Sequence, residues 1–282
     1  MIVNFNDIRY GRNKHVYPVR FKNGEETFRA DDYYNGKHIV LVCSYETMDK
    51  DDFYSLLQVI DCMSKFSTVF VFMPYFFGQR QHRDSQAEHS TLDCFLNQKL
   101  IIQAGAEGIY TIDLHSPTGM DYVKNLSPYS DVAKHITSHS IKCDAIIAPD
   151  HGAQARAKVL SDYLGVPVAN YKKIRNGSEV NVQFEKNLDL TGLNCIVVDD
   201  IIDTGSTLLK VVEDARKRGA QIKYVYATHC LMTGDADLKF ENADIRTIGV
   251  TGSPDDYVYA NDREFYLEYI AKWIDKEVAI DD

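Results

Sequence analysis

The sequence has no CxxC pair, no apolar run long enough to cross a bilayer and no excess of positive charge. Each absence excludes something. The six cysteines, Cys43, Cys62, Cys94, Cys143, Cys195 and Cys230, are scattered, most of them in apolar runs. That pattern argues against a disulfide framework and fits a reducing compartment. The greasiest run, "TVFVFMPYFF", is about half a membrane span and contains Pro74. The start, "MIVNFNDIRYGRNKH", lacks the basic-then-apolar order of a secretory signal, so a cytoplasmic location is the expectation. A formal net charge of -10 sets nucleic acid and anionic membranes aside as main partners. Low-complexity segments, short repeats and a basic helix-turn-helix region are missing as well.

What is present is alternation. Eight short runs rich in Val, Ile and Phe read as buried strands: "HIVLVC", "TVFVFM", "GIYTIDL", "DAIIAP", "VPVANY", "CIVVDD", "KYVYATH" and "IRTIGV". Between them lie helical stripes, expected to be core: Phe53, Leu56, Leu57, Ile60 and Met63; Leu92, Phe95, Leu96 and Leu100; Leu208, Leu209, Val211, Val212 and Ala215. Continuous apolar strands alternating with amphipathic helices imply an α/β fold with parallel sheet covered on both faces. Eight strands are generous for one such sheet. The polar stretch 123–131, "VKNLSPYSD", is the best boundary, giving domains over 1–128 and 129–261. A last amphipathic helix, around residues 264–276, carries the only tryptophan, Trp273; the segment 262–282 is expected to pack on the first domain.

One turn carries most of the chemistry. In "CIVVDDIIDTGST" a strand ends and a helix begins, the place where open α/β sheets bind ligands. The backbone N–H groups of Thr204, Gly205, Ser206 and Thr207, with the helix dipole, suit a phosphate. Asp199, Asp200 and Asp203 argue against a bare one. At ~6 Å and an effective dielectric of ~20, each carboxylate–phosphate charge pair repels by roughly 3 kcal/mol. A ligand that offers the acids hydroxyl donors removes the conflict. A ribose phosphate does so, with its phosphate in the turn and its 2- and 3-hydroxyls on Asp199 and Asp200. The bland alternative is an ordinary strand–turn–helix with acids near its cap.

This string resembles the ribose 5-phosphate signature shared by type I phosphoribosyltransferases and ribose-phosphate diphosphokinases (PRPP synthetases). Motifs elsewhere resemble the second group and occur in its order, from about Phe21 to Ser253. The resemblance implies two tandem phosphoribosyltransferase-like domains, each a mostly parallel sheet covered by helices, with an N-terminal ATP-binding half and a C-terminal ribose-phosphate half. "MPYFFGQRQHRD" is similar to the family's ATP segment and places Arg80 and Gln81 on ATP. "GIYTIDLHSP" implies that His115 helps hold Mg–ATP, as a metal ligand and in catalysis. "IIAPDHGAQARA" assigns Asp150 to magnesium. "VANYKKIRNGSEVNVQF" is similar to the mobile catalytic loop, with Lys173 and Arg175 closing over the transferred group. "VRFKNGEET" resembles the hairpin that grips adenine from a neighbouring subunit, giving roles to Phe21, Asn23 and Glu25. "ATHCLMTGDA" follows the family's Thr-His segment after the next strand. ATP, a ribose 5-phosphate-type acceptor, Mg2+ and a homo-oligomer, dimer or hexamer, are implied with it.

The chain also departs from the pattern. Its N-terminus is short, since the family usually has a strand and a helix ahead of the Phe hairpin. Gln79 stands where Ala is usual and His82 where Asp is usual. Ile174 replaces a frequent basic residue, and "DSQAEHS" lacks a Ser-Arg element in a region tied to phosphate/ADP regulation in many relatives. Four alternatives stay open at this point: the same transfer to a substituted ribose phosphate such as ADP-ribose, a phosphoribosyltransferase, a non-catalytic regulatory homologue and, furthest off, a DNA-binding repressor.

Overall fold

Short apolar strands set the architecture, and in the computed structural model they sort into two sheets in two separate units. The structure describes residues 1–43, 48–83, 89–176, 179–185 and 188–251. The first unit is Met1–Leu126, and the second begins at Ser127. The last-helix expectation at 264–276, with Trp273 and the 262–282 packing, lies outside the described residues, as do residues 84–88 of "DSQAEHS".

The first unit opens with β1 (Ile2–Asn4) and the five-residue α1 (Phe5–Arg9). The short N-terminus therefore still supplies a strand and a helix before the hairpin β2 (Val16–Arg20)–β3 (Glu26–Ala30), which pairs antiparallel by itself. β4 (His38–Val42), α2 (Lys50–Ser64), β5 (Thr68–Phe72), α3 (Asp93–Gln103), β6 (Ala106–Ile112) and β7 (Val123–Leu126) follow. Five strands pair in the order β1-β4-β5-β6-β7, all parallel. Asp49 and Asp52 close a capping box at the start of α2, and its expected stripe holds: Phe53, Leu56, Ile60 and Met63 are buried.

Helix α3 corrects its expected stripe. Leu96 and Leu100 are 49% and 37% exposed, and the buried residues are Cys94, Asn97, Gln98 and Ile101. The amides win because loop carbonyls satisfy them. Asn97 Nδ2 donates to the Phe77 carbonyl at 2.9 Å, and Gln98 Nε2 to that of Gly119 at 2.9 Å. The Tyr122 N–H donates to Gln98 Oε1 at 3.2 Å. A buried amide with its bonds made costs little, and here it ties down two loops.

The second unit runs α4 (Tyr129–Ser138), β8 (Ala145–Ala148), α5 (Gln154–Leu164), β9 (Val168–Asn176), β10 (Glu179–Phe184), β11 (Asn194–Ile202), α6 (Ser206–Lys217), β12 (Gln221–Cys230), α7 (Ala236–Asn242) and β13 (Arg246–Thr251). Its sheet order is β10-β9-β8-β11-β12-β13, parallel except for β10. Alternation puts Ile147 and Val197 in one core with Leu208, Val211 and Phe240. Ile146, Ile196 and Val198 lie in another with Val132, Ile136 and Leu160. The sheet is thus apolar on both faces, as parallel sheets are. From β8 the chain goes to β9 on one side and to β11 on the other. That reversal is a topological switch point, and its crevice lies at the carboxyl ends of β8 and β11.

Strand β9 outruns the sheet. Only Val168, Ala169 and Asn170 pair with β8, while residues 171–176 pair with β10 alone as a two-stranded ribbon. The ribbon's base is locked by Tyr171, which is fully buried, packs on Phe184 at 5.1 Å and donates its hydroxyl to Asp214 Oδ2 at 2.9 Å. Arg218 Nε donates to the same oxygen at 2.6 Å. Burial works against charge on Asp214, but the Arg218 and Tyr171 hydrogen bonds overcome it and hold the carboxyl below its usual range. A carboxylate whose pKa falls on folding stabilises the fold above its unfolded pKa of about 4 and loses that contribution as pH drops towards the folded value. Urea unfolding of wild type and Asp214→Asn should therefore differ most near neutral pH and converge in acid. Parallel pH profiles would count against this lock.

Candidate active site

Two loops meet at the switch point of the second unit. The one after β8 carries Asp150, whose Oδ1 accepts from the Ala153 N–H at 3.1 Å. The one after β11 carries the acidic run and the turn. There Gly205 caps α6 at φ +70°, and a Cβ at this position would run into the Phe240 ring, so only glycine fits. Having no side chain, Gly205 leaves the first turn of α6 without a side-chain cap, and that turn holds no acid. Thr204 and Ser206 are exposed, with hydroxyls 3.3 Å apart. This is an anion cradle with its donors unspent. Asp203 is held back by the Thr233 hydroxyl and backbone, from the loop after β12.

The acids are arranged unequally. Asp200 is buried and paired with Arg156, Nη2 to Oδ2 at 3.3 Å, with side chains 6% and 12% exposed. Arg156 Nη1 also donates to the Gly152 carbonyl at 2.8 Å, so one guanidinium spans both loops. Asp199 keeps some solvent access but is densely surrounded by protein. Loss of water raises its pKa well above the usual range, and the nearby Asp200 and Asp150 push it the same way. Asp199 Oδ1 accepts from the Asp200 N–H at 2.9 Å, but among the described residues it has no positively charged partner, and hydroxyl donors or a cation answer that need. Sequence reasoning missed Arg156. The available signal was a cation in the first turn of a helix, where it opposes the dipole and needs an anion nearby.

Lys173 lies on the ribbon and is exposed. Positions 173 and 175 pair with Val182 and Val180 and, two apart on a strand, belong to one face. The Arg175 side chain lies outside the described set.

In the first unit the adjacent parallel strands β5 and β6 bring their following loops together. The His115 N–H donates to Gln79 Oε1 at 2.9 Å, and the His82 and His115 rings meet edge-on at 5.2 Å. Arg80, Gln81 and His115 are exposed. Loss of water, then His115 and Arg83, lowers the His82 pKa against a weaker opposite pull from the Arg80 backbone. Phe21, Asn23 and Glu25 occupy the hairpin turn, where the Phe21 N–H donates to the Glu25 carbonyl at 2.8 Å and the Glu25 N–H to Asn23 Oδ1 at 3.2 Å. Phe21 is 47% exposed. His115 belongs to the first unit and Asp150 to the second. Magnesium takes oxygen ligands, and the charge-crowded carboxyls of Asp150 and Asp199 fit it.

A switch-point crevice floored by a glycine-capped helix and paired acids defines a phosphoribosyltransferase-type domain. A family model described as the phosphoribosyl transferase domain matches residues 130–257, and one described as the N-terminal domain of ribose phosphate pyrophosphokinase matches 12–105. Ribose-phosphate pyrophosphokinase 2 of Enterococcus faecalis is 29% identical over 245 residues, covering 83% of this chain and 75% of its own. The ribose-phosphate pyrophosphokinase of Bacillus caldolyticus is 28% identical over 242 residues, covering 83% and 76%. The phosphoribosylpyrophosphate synthetase structure from Mycobacterium smegmatis shares the fold, with a TM-score of 0.67 at 21% identity over 91% of this chain and 90% of that one. The chain belongs to the ribose-phosphate pyrophosphokinase (PRPP synthetase) family.

Proposed function

We propose that the chain transfers the β,γ-diphosphoryl group of ATP to the anomeric hydroxyl of ribose 5-phosphate, giving PRPP and AMP. The observation that carries this is the uncapped α6 turn beside one carboxyl paired with a guanidinium and one that, among the described residues, has no cation partner. The turn takes the 5-phosphate through the N–H groups of residues 204–207, and Asp203 shapes it. Asp199 and Asp200 take the 2- and 3-hydroxyls. The C1 oxygen is thereby fixed and aimed, which supplies most of what phosphoryl-type transfer asks of a protein. The C1 oxygen forms a bond to the β-phosphorus while the bond from that phosphorus to the α,β-bridging oxygen breaks. AMP leaves with that oxygen, and the hydroxyl proton is released.

Arg80, Gln81 and His115 hold ATP in the first unit, and Phe21, Asn23 and Glu25 receive adenine in a homo-oligomer. Lys173 and Arg175 meet the charge on the moving diphosphoryl group. Asp150 would hold magnesium in the second unit and His115 would help hold Mg–ATP in the first; the metal, when bound, neutralises the phosphate oxygens and orients them. Among the described residues no helix is long and apolar enough to cross a membrane, and the six thiols are all free; both fit a cytoplasmic site.

The named relatives favour the free sugar phosphate and lend nothing to ADP-ribose as acceptor. The deciding assay supplies ATP and magnesium with either ribose 5-phosphate or ADP-ribose. AMP and a PRPP mass are expected with the first only. AMP with ADP-ribose alone would overturn the acceptor, and AMP with neither would overturn the reaction.

A further inference from the structure

The two residues by which the ATP loop departs from the family pattern, Gln79 and His82, both act on His115. Gln79 is 1% exposed and holds the His115 backbone N–H at 2.9 Å, so the residue is fixed by its main chain. The His82 ring stands edge-on to the His115 ring, with centroids 5.2 Å apart and planes at 66°. His82 Nδ1 is shielded from solvent and has no hydrogen-bond partner among the described residues. A shielded polar nitrogen with nothing to bind is costly, and such atoms point to a missing partner.

The spacing narrows the partner. Imidazole nitrogens bind a tetrahedral ion at about 2.0–2.1 Å, which sets the ring centroids of two such ligands about 5 Å apart. The 5.2 Å separation matches that value. A neutral imidazole is the commonest protein metal ligand, and it suits zinc-like and later transition ions, whereas magnesium and calcium want oxygen. Among the described residues no three or more His, Cys, Asp or Glu side chains are placed to hold a metal ion together. The remaining positions on an ion here would belong to water or to phosphate oxygens.

We propose that His82 and His115 form a nitrogen-rich corner that binds a transition-metal dication such as Co2+ or Zn2+, held in register by Gln79. Its placement beside Arg80 makes it a determinant of metal preference in the ATP half. That use rests on the proposed reaction, but binding of the ion does not.

The test uses full-length protein stripped with chelator and titrated with Co2+ without nucleotide, following visible d–d absorption. A saturable band that excess Mg2+ leaves in place is expected. His82→Ala should lose the band and weaken Co2+ binding by at least about tenfold, a loss in the range seen when the supports of a metal site are removed. His82→Asp should bind Co2+ in a form that excess Mg2+ displaces. Wild-type protein without a band, or His82→Ala binding Co2+ as wild type does, overturns the proposal. Unchanged circular dichroism of both variants separates ligand loss from misfolding. AMP release by wild type with ribose 5-phosphate reads the proposed reaction independently, so either idea can fail alone.

Discussion

Replacing Lys173 or Arg175 by Ala is expected to cut turnover about 10²–10³-fold while changing direct ATP binding by less than about threefold. The scale is that of removing one preorganised donor from a transition state. The reasoning starts from the ribbon. Positions 173 and 175 share a face of a two-stranded extension that leaves the sheet at the carboxyl edge, where β8 and β11 present their loops. Its base is locked by Tyr171, Asp214 and Arg218, while Lys173 further along is exposed. A cation on such a ribbon makes little use of its charge in the free protein. It becomes valuable when negative charge spreads over the transferred group, so its loss falls on turnover. Steady-state kinetics with a separate calorimetric measurement of ATP binding checks this. Equal losses in turnover and in ATP affinity would reject the transition-state role.

The strand–turn–helix at 195–207 was legible because its signals are local: strand, acids, glycine and helix start lie within 13 residues of sequence. The buried runs of β8 and of β11 from Cys195 to Val198 were legible because they are apolar on both faces. Where the reading failed, polar side chains were doing structural jobs that only the tertiary fold reveals. β7 reads as a polar linker, "VKNL", yet pairs with β6 at the sheet edge, where one side of the strand needs no partner. In α3 the leucines seemed the natural core, but the buried positions include Asn97 and Gln98, matched to carbonyls from loops about 20 residues away in sequence. β1 has three residues, too few to show a period, and is recognised only through its register with Val40, Leu41 and Val42. Arg156 looks like one more cation on an ordinary helix until Asp200, 44 residues on, is brought to it.

That pairing sets up the second large effect. Arg156→Ala should destabilise the protein by about 3–5 kcal/mol, the cost of leaving one member of a buried ion pair alone. The pair qualifies because both side chains are nearly inaccessible and Arg156 also holds the Gly152 carbonyl. The harm should extend beyond stability. With Arg156 gone, Asp200 loses its buried guanidinium partner, and Asp199, already pushed towards its protonated form by burial, Asp200 and Asp150, competes with it for protons. The two acids would then present hydroxyl-binding oxygens in the wrong protonation states, so KM for ribose 5-phosphate should rise at least about tenfold, taking one charge-assisted hydrogen bond as about 1.5–3 kcal/mol. KM for ATP, whose site is proposed in the first unit, should hold. The double variant Arg156→Ala/Asp200→Asn separates the two consequences. Removing the orphaned charge should recover most of the lost stability, while the sugar-phosphate KM stays high because a carboxylate is still missing. Denaturant unfolding and steady-state kinetics on the four proteins of this cycle give the coupling directly. If the double variant is as unstable as Arg156→Ala, the ion pair is not what Arg156 contributes; if it recovers the wild-type KM, the carboxylate of Asp200 does not bind the sugar.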